Sequence, residues 1–108
     1  MANPWTGEAA LTIDGQARIL KLTLGALAEL EADLKVGTLV ELVERFEAGA
    51  FSTRDVLALI VSGLRGGGWA GRAEDLLAVE ISGGPLEAAR VAGQLLGRAF
   101  GMPQQGDA

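Results

Sequence analysis

Cysteine and histidine are both absent from the 108-residue sequence. Without cysteine the chain has no disulfide and no reactive thiolate, and without either residue it lacks the Cys and His ligands of the common zinc sites. Imidazole, the most frequent general acid–base group, is missing as well. These absences remove the largest classes of catalytic and metal centres. We therefore expect no catalytic residue, no metal site and no cofactor.

Long hydrophobic runs and clusters of basic residues are lacking too. No apolar run approaches the roughly 18 residues that identify a membrane span, and the N-terminus has no basic segment followed by an apolar one, as a signal peptide would. Nine Lys and Arg residues are scattered among 14 Asp and Glu, which gives a net charge of −5. We expect no membrane insertion, no nucleic-acid surface and a cytoplasmic location.

Apolar residues are abundant for so small a chain. They make up 49% of the sequence, and the mean hydropathy is +0.30. Two interpretations fit this excess. Some apolar surface faces a partner, or the chain folds as a tightly packed, leucine-rich helical domain.

The clearest structural signals lie in the middle of the chain. Thr38 and Glu41 form the T-x-x-E pattern of a capping box, and Ser52 and Asp55 have the same spacing. Gly49 is suited to end the first of these helices because it enters the left-handed region without strain. The two helices are expected to bring four side chains into one core cluster: Leu42, Phe46, Leu57 and Ile60.

Alternating apolar and polar side chains predict a β-hairpin over residues 8–22, with Asp14-Gly15 at the turn. The register has two candidates. A two-residue loop places Leu11 opposite Arg18, whereas a three-residue loop places it opposite Ile19. The second pairing is more apolar, and we favour it.

Helical periodicity over the rest of the chain completes an α+β fold that is mostly helical, with an N-terminal β-hairpin followed by about five short helices around one core. The predicted helices lie near residues 24–35, 38–48, 52–65, 71–81 and 85–100. The predicted organisation is an N-terminal lead over 1–7, a single α+β domain over 8–101 and a disordered tail over 102–108.

The run of three glycines before Trp69 resembles a phosphate-binding loop in its glycine content. It lacks the G-x-x-x-x-G-K-[S/T] pattern, and no predicted strand precedes it. We interpret Gly66-Gly67-Gly68 as a flexible connection between helices, with Trp69 as an apolar anchor.

The last predicted helix carries small residues at every fourth position. This spacing lets another helix approach closely. Each interior glycine costs about 0.5–1 kcal/mol relative to alanine, so close packing would be the reason to keep two of them. Charged residues interrupt the segment, which indicates a soluble helix rather than a membrane one. The candidates for partner binding are Ala89, Gly93, Gly97 and Trp69.

Several stretches, in their order and spacing, resemble the small tail proteins of gene transfer agents and related siphophages. They are Leu11-Thr-Ile-Asp-Gly15, Leu22-Thr-Leu-Gly-Ala-Leu-Ala-Glu-Leu-Glu31, Leu39-Val-Glu-Leu-Val-Glu-Arg-Phe46 and Ser52 through Trp69. Members of that family are described as tail assembly chaperones or as tail tube proteins, and no catalytic residues carry over from them. A tail assembly chaperone, as the resemblance implies, binds the long helical tape-measure protein and keeps it soluble while tube subunits polymerise around it.

Between these roles we favour the chaperone. A tube subunit typically closes a ring through a substantial β-sheet, and only one hairpin is predicted here. The expected partners are the tape-measure protein, the tail tube protein and further copies of the chain. The expected location is the cytoplasm of a bacterial host cell, with association with the virion left open. The first alternative is a structural tail tube protein, and the second is a small regulatory protein-binding module.

Overall fold

The computed structural model of the chain describes residues 7–33 and 38–100. Within these ranges the fold is α+β and mostly helical, as predicted. The strands are β1 (Glu8–Ile13) and β2 (Gln16–Lys21), and the α-helices are α1 (Leu24–Asp33), α2 (Leu39–Glu47), α3 (Thr53–Gly66) and α4 (Gly84–Phe100). A 3-10 turn over Ala73–Leu76 is the remaining helical element of the described part.

Parts of three sequence predictions lie outside the described residues. They are residues 1–6 of the lead, the tail over 102–108 and the last two positions of the helix predicted over 24–35. The boundaries of the single domain likewise remain a prediction.

β1 and β2 form the predicted antiparallel hairpin, but in the other register. Leu11 pairs with Arg18, as a two-residue loop requires. Asp14 and Gly15 both have positive φ, 50° and 80°, which is the requirement of a type I′ turn. The predicted pairing of Leu11 with Ile19 is therefore wrong. Helix α4 packs on β1 and buries the apolar face of this strand. The apolar side chains of β1 are therefore buried without the more apolar cross-strand pairing.

The starts of α2 and α3 are fixed by capping boxes, as predicted. The Thr38 hydroxyl accepts the N–H of Glu41 at 3.3 Å, and the Glu41 carboxylate accepts the N–H of Thr38 at 3.0 Å. Ser52 and Asp55 make the same exchange at 3.1 and 2.9 Å. Gly49, with φ of 70°, follows α2 in the left-handed region. These local bonds determine where the pair of helices begins and turns.

Side chains on either side of the α2–α3 turn also join the two helices. Arg45 donates two hydrogen bonds to the Asp55 carboxylate, at 2.9 and 3.0 Å. The rings of Phe46 and Phe51 stack with centroids 4.4 Å apart and planes 10° apart. An ion pair and an aromatic pair thus hold the same turn together.

The core lies between the hairpin, α1, α3 and α4. Its largest fully buried side chains are Leu20, Leu30, Leu42, Leu59, Leu64, Leu95, Leu96 and Val91. Of the predicted central cluster, Leu42 and Ile60 are buried in this core, and Phe46 packs against it half-buried. Leu57 is half-buried and lies outside the core cluster, so its place in the prediction is wrong. It lines a surface groove instead.

Residues 71–81 do not form the helix predicted there. Only Ala73–Leu76 turns, and the chain then meets the end of β1 at a single bridge between Ile13 and Ile81. The N–H of Asp14 donates to the carbonyl of Glu80 at 2.8 Å, and the Asp14 carboxylate accepts the N–H of Glu80 at 2.8 Å. The edge of a strand presents unpaired backbone N–H and C=O groups. A helix cannot pair with these groups because its own backbone bonds are internal, whereas a non-helical segment can. These bonds to the hairpin turn, together with the bond from the Ser82 N–H to the Thr12 carbonyl at 3.1 Å, hold residues 80–82 against the hairpin and explain why they are not helical.

The glycine run closes α3 against β2. A Cβ on Gly66 would collide with the carbonyl oxygen of Lys21, and a Cβ on Gly67 would collide with that of Ile19. The prediction of a flexible connection between helices is therefore wrong for these two positions, which belong to a close contact. Trp69 packs half-buried against the core, as expected of an anchor.

Candidate partner-binding groove

An apolar groove lies between the first half of α3, the non-helical segment after the 3-10 turn and the first turns of α4. Its volume is about 570 Å³. Aliphatic side chains from all three elements line it, among them Val56, Leu57, Ile60, Leu77, Leu86 and Ala89. Its size and apolar lining are those of a site that receives another molecule's side chains.

The segment that borders the groove between the 3-10 turn and α4 is not helical, and its residues 80–82 are bonded to the hairpin. Two leucines of the lining are left largely in solvent. Leu77 is 73% exposed and Leu86 is 85% exposed. Single exposed leucines are ordinary on protein surfaces, but two beside an apolar groove form a continuous patch of the kind that marks an interaction surface.

The groove has acidic surroundings. No basic residue lies between Arg72 and Arg90, and four carboxylates lie between these two arginines: Glu74, Asp75, Glu80 and Glu87. Arg72 is exposed, and Arg90 is paired with Glu87. Hydrogen bonds from Arg90 lower the pKa of Glu87, so this carboxylate is ionised near neutral pH. On the α3 side, Arg54 is exposed and Asp55 is paired with Arg45. The segment that holds Leu77 and Leu86 thus carries more acidic than basic residues, four against two over residues 72–90.

Comparison with known families shows what kind of protein carries this groove. A family model described as phage tail tube protein, GTA-gp10, matches residues 6–102. The chain belongs to this family. A search of curated proteins and a search of solved structures each found no match. The predicted resemblance to tail proteins of gene transfer agents and phages is confirmed, and the family is one of structural tail proteins rather than enzymes.

The four predicted partner-binding residues lie in different environments in this GTA-gp10 family protein. Ala89 lines the groove. Gly93, about one turn further along α4, is half-buried and faces Phe46, and Gly97 is buried. Trp69 packs on the core beyond the other end of α3. The fold thus brings Ala89 to the groove and the other three elsewhere, and their roles in partner binding remain predictions.

Replacing Gly93 with alanine is expected to stabilise the tail protein. A Cβ at this position would meet the Phe46 ring at 3.9 Å, which is an ordinary van der Waals contact. Alanine inside a helix is favoured over glycine by about 0.5–1 kcal/mol. In a domain of this size we expect the thermal midpoint to rise by about 2–8 °C, measured by circular dichroism.

Gly63 provides the control for this substitution, because it is also a glycine inside a helix. A Cβ there would lie 2.7 Å from Leu95 Cδ1 and 3.1 Å from Leu20 Cβ. Gly63→Ala should therefore lower the midpoint. If Gly93→Ala also lowered the thermal midpoint, the space for a methyl group beside the Phe46 ring would not exist.

Sequence reasoning did not find the groove. Leu77 belongs to the helix predicted over 71–81, but the structure has no such helix and leaves Leu77 largely exposed at the groove. Among the described residues no group of three potential metal ligands occurs, and every buried side-chain N or O atom has a hydrogen-bond partner. In the same part of the chain no helix has the length and hydrophobicity to span a membrane. The groove of this tail-family protein offers apolar burial and a negative flank, which suit binding rather than chemistry.

Proposed function

We propose that this tail protein is a tail assembly chaperone, which binds helices of the tape-measure protein and holds them in solution while the tail is built. The open apolar groove is the observation that carries the proposal. A protein that shields an amphipathic helix needs such a surface, because the helix buries its apolar face there. The protein acts stoichiometrically, without chemistry, in the cytoplasm of the host cell.

The small size of the sheet also favours this role. In the described residues the sheet has two strands, β1 and β2, and a single bridge between Ile13 and Ile81 adds to it. A tube subunit is expected to close its ring through a larger sheet. The groove proposed to bind the partner is instead bordered mainly by helices α3 and α4.

A structural tail tube protein is the second candidate, and the description of the matched family favours it. In that role the protein stays in the finished particle as stacked rings, and its surfaces contact other tail subunits. The family match supports either tail role over a small regulatory module.

The two roles are separated by the composition of finished particles. The gene is deleted and complemented in the producing strain, and the particles are purified and analysed by electron microscopy and quantitative mass spectrometry. The chaperone role predicts tailless heads on deletion and no copies of the protein in complemented particles. Co-expression is expected to keep the tape-measure protein soluble when it aggregates alone.

Detection of the protein in particles at high copy number would overturn the chaperone role and establish the tube role. Normal tails after deletion would contradict both. A tape-measure protein that stays insoluble on co-expression, while the chain itself is soluble and folded, would also count against the chaperone.

A further inference from the structure

The groove and its charged flank together specify a ligand. We infer that the groove binds an amphipathic helix of another protein, with leucine-like side chains on one face and Lys or Arg residues beside that face. This rests on the proposed function, because it names the chemistry of the helix that a tail assembly chaperone would hold. The inference joins two observations, the apolar lining and the sign of the surrounding charge.

The residues that line the groove indicate which apolar side chains the ligand carries. Val56, Leu57 and Ile60 come from successive turns of α3, and Leu77 and Leu86 stand on the facing wall. A volume of about 570 Å³ accommodates several aliphatic side chains and is too large for one. A helix presents such side chains in a row at positions i, i+3 or i+4, and i+7, which is how helix-in-groove recognition works.

The wall that holds Leu77 and Leu86 sets the charged part. Its stretch, residues 72–90, has four carboxylates and two arginines, and one of these arginines, Arg90, is paired with Glu87. Three carboxylates and Arg72 remain, so the stretch is net negative. Glu74, Asp75 and Glu80 are exposed, so a bound chain can approach their carboxylates, although that of Asp75 also accepts the N–H of Arg72 at 2.9 Å. Complementary charge beside an apolar contact selects partners and penalises like charge, and the effect is strongest where water is partly excluded. The favoured helix is therefore basic at its flanks.

The same argument disfavours α1 and α2 of a second copy of this chain as the occupant. Outside the groove, large exposed apolar residues on the first two helices are Leu24 of α1 and Val40 of α2. Over Leu24–Asp33, α1 has three acidic residues and no basic one. Over Leu39–Glu47, α2 has three glutamates and one arginine, and this arginine is bonded to Asp55. Both helices would bring negative charge to a negative wall.

Two designed peptides of about 15 residues test the inference. Both carry leucines at i, i+3, i+4 and i+7, and the flanking positions hold lysine and arginine in one peptide and glutamate in the other. Titration calorimetry with the full chain should show the basic peptide binding at least about tenfold more tightly. This ratio should shrink as the salt concentration rises, because exposed charges are screened. A third peptide with the basic composition but scrambled leucines should bind at least about tenfold more weakly than the first.

Leu86→Ser is the groove variant, and Val40→Ser is its matched control. Both replace an exposed apolar side chain, so both should keep the wild-type thermal midpoint. Leu86→Ser should weaken binding of the basic peptide at least about tenfold, since it removes most of one buried leucine contact. Val40→Ser should change it less than about twofold. The double variant Glu74→Gln, Glu80→Gln should reduce the preference for the basic peptide.

Three results would overturn the inference. The first is that the basic and the acidic leucine peptide bind with equal affinity. The second is that the Leu86→Ser variant binds the basic peptide as tightly as the wild type does. The third is that the wild-type chain self-associates through the groove and the Leu86→Ser variant is monomeric. These results are separable from failure of the proposed function. If the protein forms rings in particles while the peptide preference holds, the groove still binds a basic helix of the tail. If the tape-measure protein is kept soluble while the peptides bind alike, only the groove inference falls.

Discussion

Gly66→Ala is expected to be among the most damaging single substitutions in this tail protein. A Cβ at this position would overlap the carbonyl oxygen of Lys21, and backbone atoms of a strand cannot move aside as a side chain does. Overpacking of well-packed sites usually costs about 1–3 kcal/mol and sometimes more, and a clash with backbone belongs at the upper end. We expect a loss of about 3 kcal/mol or more, which lowers the thermal midpoint by at least about 10 °C.

Gly25→Ala is the control for this substitution. Gly25 is also in a helix, and a Cβ there would meet only the Thr23 hydroxyl oxygen, at 4.0 Å. We expect this variant to be as stable as the wild type or slightly more so. Gly67→Ala, which meets the carbonyl of Ile19, should behave like Gly66→Ala. A Gly66→Ala protein that melts within a few degrees of the wild type would show that α3 does not approach β2 so closely.

Local signals in the sequence predicted local structure well. The capping boxes at Thr38 and Ser52 need only residues three positions apart, so the starts of α2 and α3 follow from the sequence alone. The Asp14-Gly15 turn is equally local, because both residues tolerate positive φ. The hairpin turn and the starts of α2 and α3 were therefore accessible without the structure.

Features that depend on distant contacts were not accessible in this way. A one-residue shift in the register of a hairpin moves every side chain of one strand to the opposite face. Whether Ile19 or Leu20 enters the core therefore depends on which elements pack on the sheet. Leu20 is fully buried and Ile19 only partly. The non-helical run after Leu76 is held by hydrogen bonds to Asp14 and Thr12 of the hairpin, more than 60 residues earlier in the chain. The groove depends on that run, so it was missed as well.

Asp55→Asn is the second substitution with a large expected effect, because Asp55 has both a local and a distant role. Its carboxylate accepts the N–H of Ser52 at 2.9 Å as part of the capping box, and it accepts two bonds from Arg45 of α2. Its side chain is only 10% exposed. Removing one partner of a buried pair leaves the other charge uncompensated. Arg45 is partly exposed, so we expect a loss of about 2–3 kcal/mol at pH 7.

The same residue gives stability a dependence on pH. Burial by itself would raise the pKa of Asp55, but the hydrogen bonds from Arg45 and from the Ser52 backbone outweigh it and hold the pKa below its usual value. A lowered pKa in the folded state means that the stabilisation is complete above the unfolded-state value of about 3.9 and disappears as the pH falls through the folded-state value. The difference in unfolding free energy between wild type and Asp55→Asn should therefore be constant from pH 7 to about pH 5 and shrink below about pH 4.

Glu87→Gln is the matched control, since it removes the same charge from an ion pair of similar geometry on the surface. Hydrogen bonds from Arg90 lower the pKa of Glu87 too, but the side chains of Arg90 and Glu87 are 55% and 31% exposed. An exposed pair contributes about 0–1 kcal/mol, so this variant should denature in urea close to the wild type. If Asp55→Asn lost no more stability than Glu87→Gln at pH 7, or if its deficit were the same at pH 3 as at pH 7, the Arg45–Asp55 pair would not be what joins α2 to α3. The stacked rings of Phe46 and Phe51 would then be left as the link across that turn.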